Sequence, residues 1–366
     1  MRPAGQLDRL LLRELSRLFA ATLGGVVAIY LVIDFADRAH AFTGRAWARA
    51  AAELYANKAA VVAYQLAPAA LIIAAALLVT LLARRGELTA LQALGVRPLR
   101  LAAPVALFAT VLGIGLFWLG EEVVVRADAR AEEIQVQRFN RWGDWATYHA
   151  GASWLRGRQG RIYHLGAQRD GGWEPATVLE IAAPFRLSRR IDARRIEPAG
   201  PQSWRLYDAV EMRYSLEGGP GGTIDERRSA LLLESFPETP ADLALRSGRP
   251  QQLPWEQLRE QVRRREQAGL QSREYQLALV ERAAQPVQAI PAALAAWGVA
   301  LHLQRPRRRM PLAGAVAAGM ALSMFLWAVS VVAHALSLGG SLSPLAAGAL
   351  PALASTLIAL WSFRHG

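Results

Sequence analysis

The residue types that could do chemistry are few, and their spacing does not assemble them into a catalytic centre. The six histidines are His40, His149, His164, His302, His334 and His365, and no two stand at metal-ligand spacing. No His-Glu-x-x-His, nucleophile elbow or glycine-rich dinucleotide loop is present. Cysteine is absent, which excludes disulfides and thiolate-bound metals. The chain has one lysine, Lys58, between Asn57 and Ala59. A phosphate-binding Walker loop needs a Gly-Lys-Ser/Thr step, so the chain has no such ATP site, and a pyridoxal cofactor would have only Lys58 to bind. The acid pairs Glu121-Glu122 and Glu132-Glu133 read as a solvated helix face rather than an acid/base pair. The net charge of +12 comes from arginines dispersed over the chain, with no nucleic-acid-binding motif. The residues point to a non-enzyme without cofactor or metal.

The elements that carry these residues fall into two populations. Of 366 residues, 53% are hydrophobic, yet the mean hydropathy is only +0.16. Residues 18–120 and 283–363 are apolar, whereas 121–282 are rich in Arg, Glu and Asp. A membrane-crossing helix needs about 20 apolar residues. Six such spans are expected: Leu18–Phe35, Ala59–Ala83 around Pro68, Leu101–Gly120, Ala283–Gln304, Leu312–Leu336 and Pro344–Ser362. The last two come from an uncharged stretch, Met310 to Phe363, broken by the Gly/Ser/Pro turn Ser337–Pro344. Before the first span, Arg9 to Arg17 reads as an amphipathic entry helix on the membrane surface.

Orientation follows from Lys and Arg in short loops. Arg2, Arg9, Arg13 and Arg17 precede span one; Arg84, Arg85, Arg97 and Arg100 follow span two; Arg305, Arg307, Arg308 and Arg309 follow span four; and Arg364 ends the chain. The opposite side has Arg38, Arg45, Arg49 and Lys58 after span one and none after span five. Both termini are therefore expected in the cytoplasm and the large domain outside, in the periplasm of a Gram-negative cell. Ala39-His40-Ala41 has the form of a signal-peptidase site, but the apolar segment before it is long and its polar lead-in extended.

Residues 150–235 read as β-structure. Strands are expected at Ser153–Arg156, Arg161–Leu165, Thr177–Ile181, Leu187–Ile196, Trp204–Tyr214 and Ser229–Leu233, with turns at Gly157–Gly160, Asp170-Gly171-Gly172 and Gly218–Gly222. Many short strands at this spacing suggest a sandwich or jelly roll, which could hold a lipid chain, offer an edge strand to a partner or pack only on itself. Pro254 to Ala268 reads as a helix with Trp255, Leu258 and Val262 on one face.

Three features stand out. Arg84 to Pro98 encodes a short bounded helix with Glu87 in its first turn, Leu88, Leu91 and Leu94 in a stripe, a Gly95 cap and a Pro98 stop. It is either a simple interfacial helix or a surface that docks a cytoplasmic partner. Asp34, Asp37, Arg38 and His40 cluster at the outer end of span one, where ionisable groups at membrane depth face a cavity or partner unless they merely mark the boundary. Pro286, Pro291, Pro344 and Pro351 permit kinks in the later spans or punctuate their ends.

In order and spacing, Leu7-Asp8-Arg9, Ile33 to Asp37, Glu87 to Gly95, Gly120-Glu121, Tyr275-Gln276-Leu277, Gln285-Pro286, Leu342-Ser343-Pro344 and Leu350-Pro351 resemble the LptF/LptG family, the permeases of the lipopolysaccharide export machine. The chain looks more like LptG, with Gly86-Glu87-Leu88 where the LptG-like pattern has a Ser-Glu-Leu run. The resemblance implies an α-helical polytopic inner-membrane fold with an inserted periplasmic β-jellyroll. It divides the chain into 1–120, 121–282 and 283–366. It implies an LptF-like partner, an LptB-like ATPase dimer, LptC-like and LptA-like proteins, and lipopolysaccharide as cargo. Glu87, with Leu88, Leu91, Leu94 and Gly95, would engage the ATPase. Asp34, Asp37, Arg38 and His40 would line the lateral gate. Asp34 departs from the cationic residues that LptG-like proteins often place there for lipid A phosphates, which leaves Arg38 the best phosphate ligand of the four. The expected function is a permease subunit that turns ATP-driven closure of its partner into lipid extraction. The alternatives are the LptF-type subunit and a mechanotransmitting or structural membrane protein; a membrane-bound hydrolase lacks its catalytic groups.

Overall fold

A computed structural model describes residues 5–42, 47–139, 153–157, 159–183, 185–214, 224–243, 250–267, 272–304 and 310–365. Arg2, Arg45, His149, Gly218 to Gly222, Ala268, Arg305, Arg307, Arg308 and Arg309 from the sequence reading lie outside these. The chain forms two compact units, Met1–Ile134 with Gln276–Gly366, and Gln135–Tyr275.

The first unit is helical: α1 (Gln6–Arg38), α2 (Trp47–Arg84), α3 (Glu87–Ala93), α4 (Pro98–Leu119), most of α5 (Val125–Phe139), most of α8 (Arg273–Leu303), α9 (Leu312–Leu338) and α10 (Pro344–His365). Six of its helices are long and apolar enough to cross a bilayer. Two ends differ from expectation. The Arg9–Arg17 segment is not a separate surface helix but the first turns of α1. Leu11 and Leu15 are fully buried there, and Asp8 takes a bidentate pair of bonds from Arg100 at 2.8 and 2.7 Å while Glu14 accepts from Arg85 at 3.3 Å. These contacts hold the segment in line. The helix of the third span, likewise, does not stop at Gly120: a π-helical turn over Gly120–Val124 carries it into α5.

Between apolar helices in lipid, association rests on close van der Waals contact rather than on expelled water, so small residues mark the contacts. The bundle core fits this. Ala74, Ala75, Ala102, Ala109, Ala293, Ala296 and Ala300 are buried around Leu71, Leu78, Leu101 and Trp297. Gly319 of α9 lies so close to α2 that a Cβ there would sit 2.8 Å from the Ile73 Cα. Pro68, Pro104, Pro286, Pro291 and Pro351 all lie inside helices, while Pro344 opens α10.

The second unit is built on one antiparallel sheet: β1 (Ser153–Arg156), β2 (Arg161–Arg169), β3 (Gly172–Ala182), β4 (Arg186–Ala193), β5 (Arg195–Pro198), β6 (Ser203–Tyr214) and β7 (Ile224–Ser235). Asp170 and Gly171 both have positive φ and close a two-residue β2–β3 hairpin, as a type I′ turn requires. The strand expected over Leu187–Ile196 divides at Arg194 into β4 and β5. The register against both β3 and β6 runs unbroken through the division, and Arg194 pairs with Asp208 at 2.9 Å. Among the described strands, β4 and β5 both lie between β3 and β6, and β7 pairs with β6. One face buries Leu165, Val178, Ile191, Ile196 and Leu206, with Tyr163, Trp173, Trp204 and Phe236 in edge and tilted contact. The Tyr163 hydroxyl donates to buried Glu238 at 2.5 Å, and burial together with that carboxylate pushes its pKa well above the usual tyrosine range. Among the described residues, strand β7 pairs with β6 alone and exposes Ile224, Leu231 and Leu233. One-turn α6 (Pro240–Leu243) and α7 (Trp255–Gln267), where Pro254 and Ala268 had been expected as limits, complete the unit.

Candidate functional site

Helix α3 is short, so its ends decide whether it forms at all. Gly86, at φ +75°, breaks the chain from α2, and Glu87 then sits in the first turn, where the helix dipole favours an acid. At the other end Gly95 takes φ +81°; its N–H donates to the Gln92 carbonyl at 2.9 Å and the Val96 N–H to the Leu91 carbonyl at 3.0 Å. These are the paired bonds of a Schellman cap, with Leu91 and Val96 supplying its apolar contact against the bundle core. Pro98 opens α4 two residues on.

The three leucines of the stripe do different things. Leu88 is buried and Leu91 half-buried, both in the core of the bundle. Leu94 is 80% exposed, and Leu99 at the start of α4 is 64% exposed. Thr89, Gln92 and Ala93 are exposed between them. Two leucines anchor the helix; Leu94 and Leu99 are left as outward apolar side chains.

The Asp34 cluster lies at the opposite end of α1 and α2. The Asp34 side chain, only 9% exposed, accepts from Lys58 at 2.5 Å, from Tyr55 at 2.9 Å and from Arg38 at 3.0 Å. Phe35, Phe42 and Tyr55 pack around it with ring centroids 5.5 to 6.1 Å apart. The acid that breaks the cationic pattern thus binds two cations, and Asp34, Arg38 and Lys58 together carry +1. Lys58 is the residue that reading the sequence missed here. Its partner is 24 residues away on another helix, and the only available signal was its being the single lysine, at a span end. Asp37 and His40 lie exposed beyond the cluster.

A third set of polar contacts ties α8 into the bundle near the same end. Gln285 accepts a short hydrogen bond from Tyr64 of α2. Arg282 donates to Glu121 of the π-helical turn at 2.8 Å, and Glu281 meets His334 of α9 at 2.8 Å. Glu121 is therefore half of an inter-helix ion pair rather than part of a solvated face. Burying that pair, 15% and 18% exposed, is costly unless the partners hold each other.

The family model for the lipopolysaccharide export system permease LptF/LptG matches residues 9–365. The chain belongs to the LptF/LptG family. The match spans both sets of membrane-crossing helices and the inserted sheet, which is the architecture of that family. LptF/LptG proteins are lipopolysaccharide export permeases, the non-catalytic membrane component of an ABC-type exporter. As a member, this chain is a multi-pass membrane protein and a component of the Lpt transporter. A search of curated proteins returns no match.

Proposed function

We propose that the chain is the LptG-type half of a heterodimer with an LptF-like permease. It draws lipopolysaccharide from the outer leaflet of the inner membrane and passes it through a periplasmic, jellyroll-like sheet unit to LptC-like and LptA-like proteins. An LptB-like ATPase dimer supplies the energy, and both termini are cytoplasmic. The observation that carries this reading is the division of labour on α3. A seven-residue helix capped at its C-terminus and pinned by Leu88 and Leu91 can transmit a push, and Leu94 and Leu99 give a partner something to push on. Glu87 in the first turn adds a carboxylate for a basic group of the partner. Arginines 84, 85, 97 and 100 flank the helix and support a cytoplasmic location for this end.

At the other end, Arg38 and Lys58 are the cations offered to lipid A phosphates, with Asp34 holding both in place. The exposed apolar residues of edge strand β7 support lipid contact or strand pairing with a neighbouring sheet. Two experiments test the reading. Glu87→Ala is expected to weaken co-purification with the ATPase and slow export; unchanged assembly and export would remove α3 as the coupling element. A photo-crosslinker at Asp37 or Arg38 is expected to give lipid A adducts, and their absence from every position on that face would remove the gate.

A further inference from the structure

A cleft of about 480 Å³ opens between α8, α9 and α10, and neither the coupling helix nor the Asp34 cluster uses it. Its volume is in the range of a small-molecule site. It lies at the end of the bundle opposite α3: the other end of α8 is fixed beside α2 by the Gln304–Thr80 bond at 3.0 Å, two turns of chain from Glu87. Small residues make the room. Ala284, Ala347 and Gly348 line it, and Gly348 touches the Val280 side chain so closely that a Cβ would collide with it. Buried Leu277, Ala333 and Ala347 pack together at one side.

The polar lining of the cleft is Glu281, Gln285, Gln288, Ser330 and His334. Glu281 has Oε1 on His334 Nδ1 at 2.8 Å, which leaves its second oxygen for a ligand. Gln288 and Ser330 add an amide and a hydroxyl. Pro351 has no N–H, so the carbonyl of Ala347 four residues earlier lacks its helical donor, and both residues line the cleft. Among the described residues no Lys or Arg lines it, and Arg282, next to Glu281 in sequence, is turned to Glu121. The cleft thus sets the Glu281 carboxylate, with amide and hydroxyl groups beside it, over an apolar wall. It lies at the ends of two apolar helices. Glu281 stands just before the uncharged run of α8, and His334 is one turn from the end of α9.

We propose that this cleft binds a phospholipid whose headgroup ends in a primary ammonium, with Glu281 and the Ala347 carbonyl taking the ammonium N–H groups and the acyl region lying along Ala284 and Val331. Such a lipid is a resident of the permease, separate from its cargo. The primary ammonium matches the site on both counts, charge and donors; a trimethylammonium head has the charge without the N–H groups, and an anionic head repels Glu281.

Native mass spectrometry of the full-length chain, with the subunits that purify with it, tests this. The probes are phosphatidylethanolamine, phosphatidylcholine and phosphatidylglycerol, each added at the same concentration. The expected result is a bound phosphatidylethanolamine retained at least about tenfold over the other two, the equivalent of about 1.4 kcal/mol. Glu281→Gln, which keeps the shape, and Ala284→Trp, which fills the cleft from an independent position, should each abolish that preference while assembly and melting temperature hold. Free ethanolamine at the same concentration should leave the lipid bound. Equal retention of the three lipids, a preference unchanged in both variants, or displacement by free ethanolamine would overturn the proposal.

Discussion

Replacing Asp34 by Asn removes one negative charge and leaves the side-chain volume almost unchanged. The carboxylate lies 2.5 Å from Lys58 Nζ and 3.0 Å from Arg38 Nε. At an effective dielectric near 20 the gross attraction to each cation is about 6 kcal/mol, most of it offset by desolvation. Breaking a buried pair by neutralising one partner costs about 3–5 kcal/mol, because the other charge stays buried. Here the cost is discounted, since Arg38 is 29% exposed and can turn to water, whereas Lys58 is only 14% exposed. The expected loss is about 2–4 kcal/mol, or a fall of roughly 5–15 °C in melting temperature for a unit of this size. The assay is thermal unfolding of the purified protein in detergent for wild type, Asp34→Asn, Lys58→Met and the double variant. The double variant should recover part of the loss, because the uncompensated charge has gone. An Asp34→Asn protein that melts with the wild type, or a double variant that simply adds the two single losses, would refute the reasoning.

Gly319→Leu should prevent α9 from reaching α2, since even a Cβ would lie 2.8 Å from the Ile73 Cα; the expected outcome is little folded protein after detergent extraction, read by size-exclusion chromatography. Gly95→Ala puts a side chain at φ +81° and should weaken the cap of α3 by about 1 kcal/mol; ATPase activity of the assembled exporter should fall while expression holds. In the sheet unit, burial pushes the Glu211 carboxyl up, but its bonds with Arg213 and Arg189 more than offset this and its pKa lies below the ordinary 4.5; on α7, Arg263 and Arg264 pull Glu260 down to about 2. A lowered folded-state pKa gives stability that is present above the ordinary carboxylate value and lost as the pH falls through the lowered one. Tryptophan fluorescence, to which buried Trp173 and Trp204 contribute, should therefore stay constant from neutrality to about pH 4.5 and change below it, and a transition near pH 6 would contradict this assignment.

Much of the molecule is legible in the sequence because membrane helices and capped turns are local signals. The uncharged run from Met310 to Phe363 and its Gly/Ser/Pro break give two helices whatever packs against them, and Gly95 and Pro98 end α3 on their own. Local signals fail where distant residues meet. Charge at Glu121 suggested that the span had ended, but Arg282 neutralises it and the helix continues through a π-helical turn. The Leu88, Leu91, Leu94 spacing marks a stripe without saying which leucines face inward. Spacing around Asp34 does not show that its partner Lys58 comes from another helix, 24 residues on. In the sheet, alternation gave the strands and turns, while the neighbour order depends on pairings between segments far apart in the chain.

Leu94 of α3 is expected to meet the ATPase while Leu88 holds α3 to the bundle. The chain has no cysteine, so a single introduced thiol reports on one position alone. Leu94→Cys and Leu88→Cys, each assembled with the ATPase subunit and treated with a short bifunctional thiol cross-linker, test the claim most directly. The expected result is a covalent product with the ATPase from position 94, changing in yield when ATP is added, and none from position 88. Products from neither position, or labelling of position 94 by a membrane-impermeant maleimide added to the periplasmic side, would contradict it.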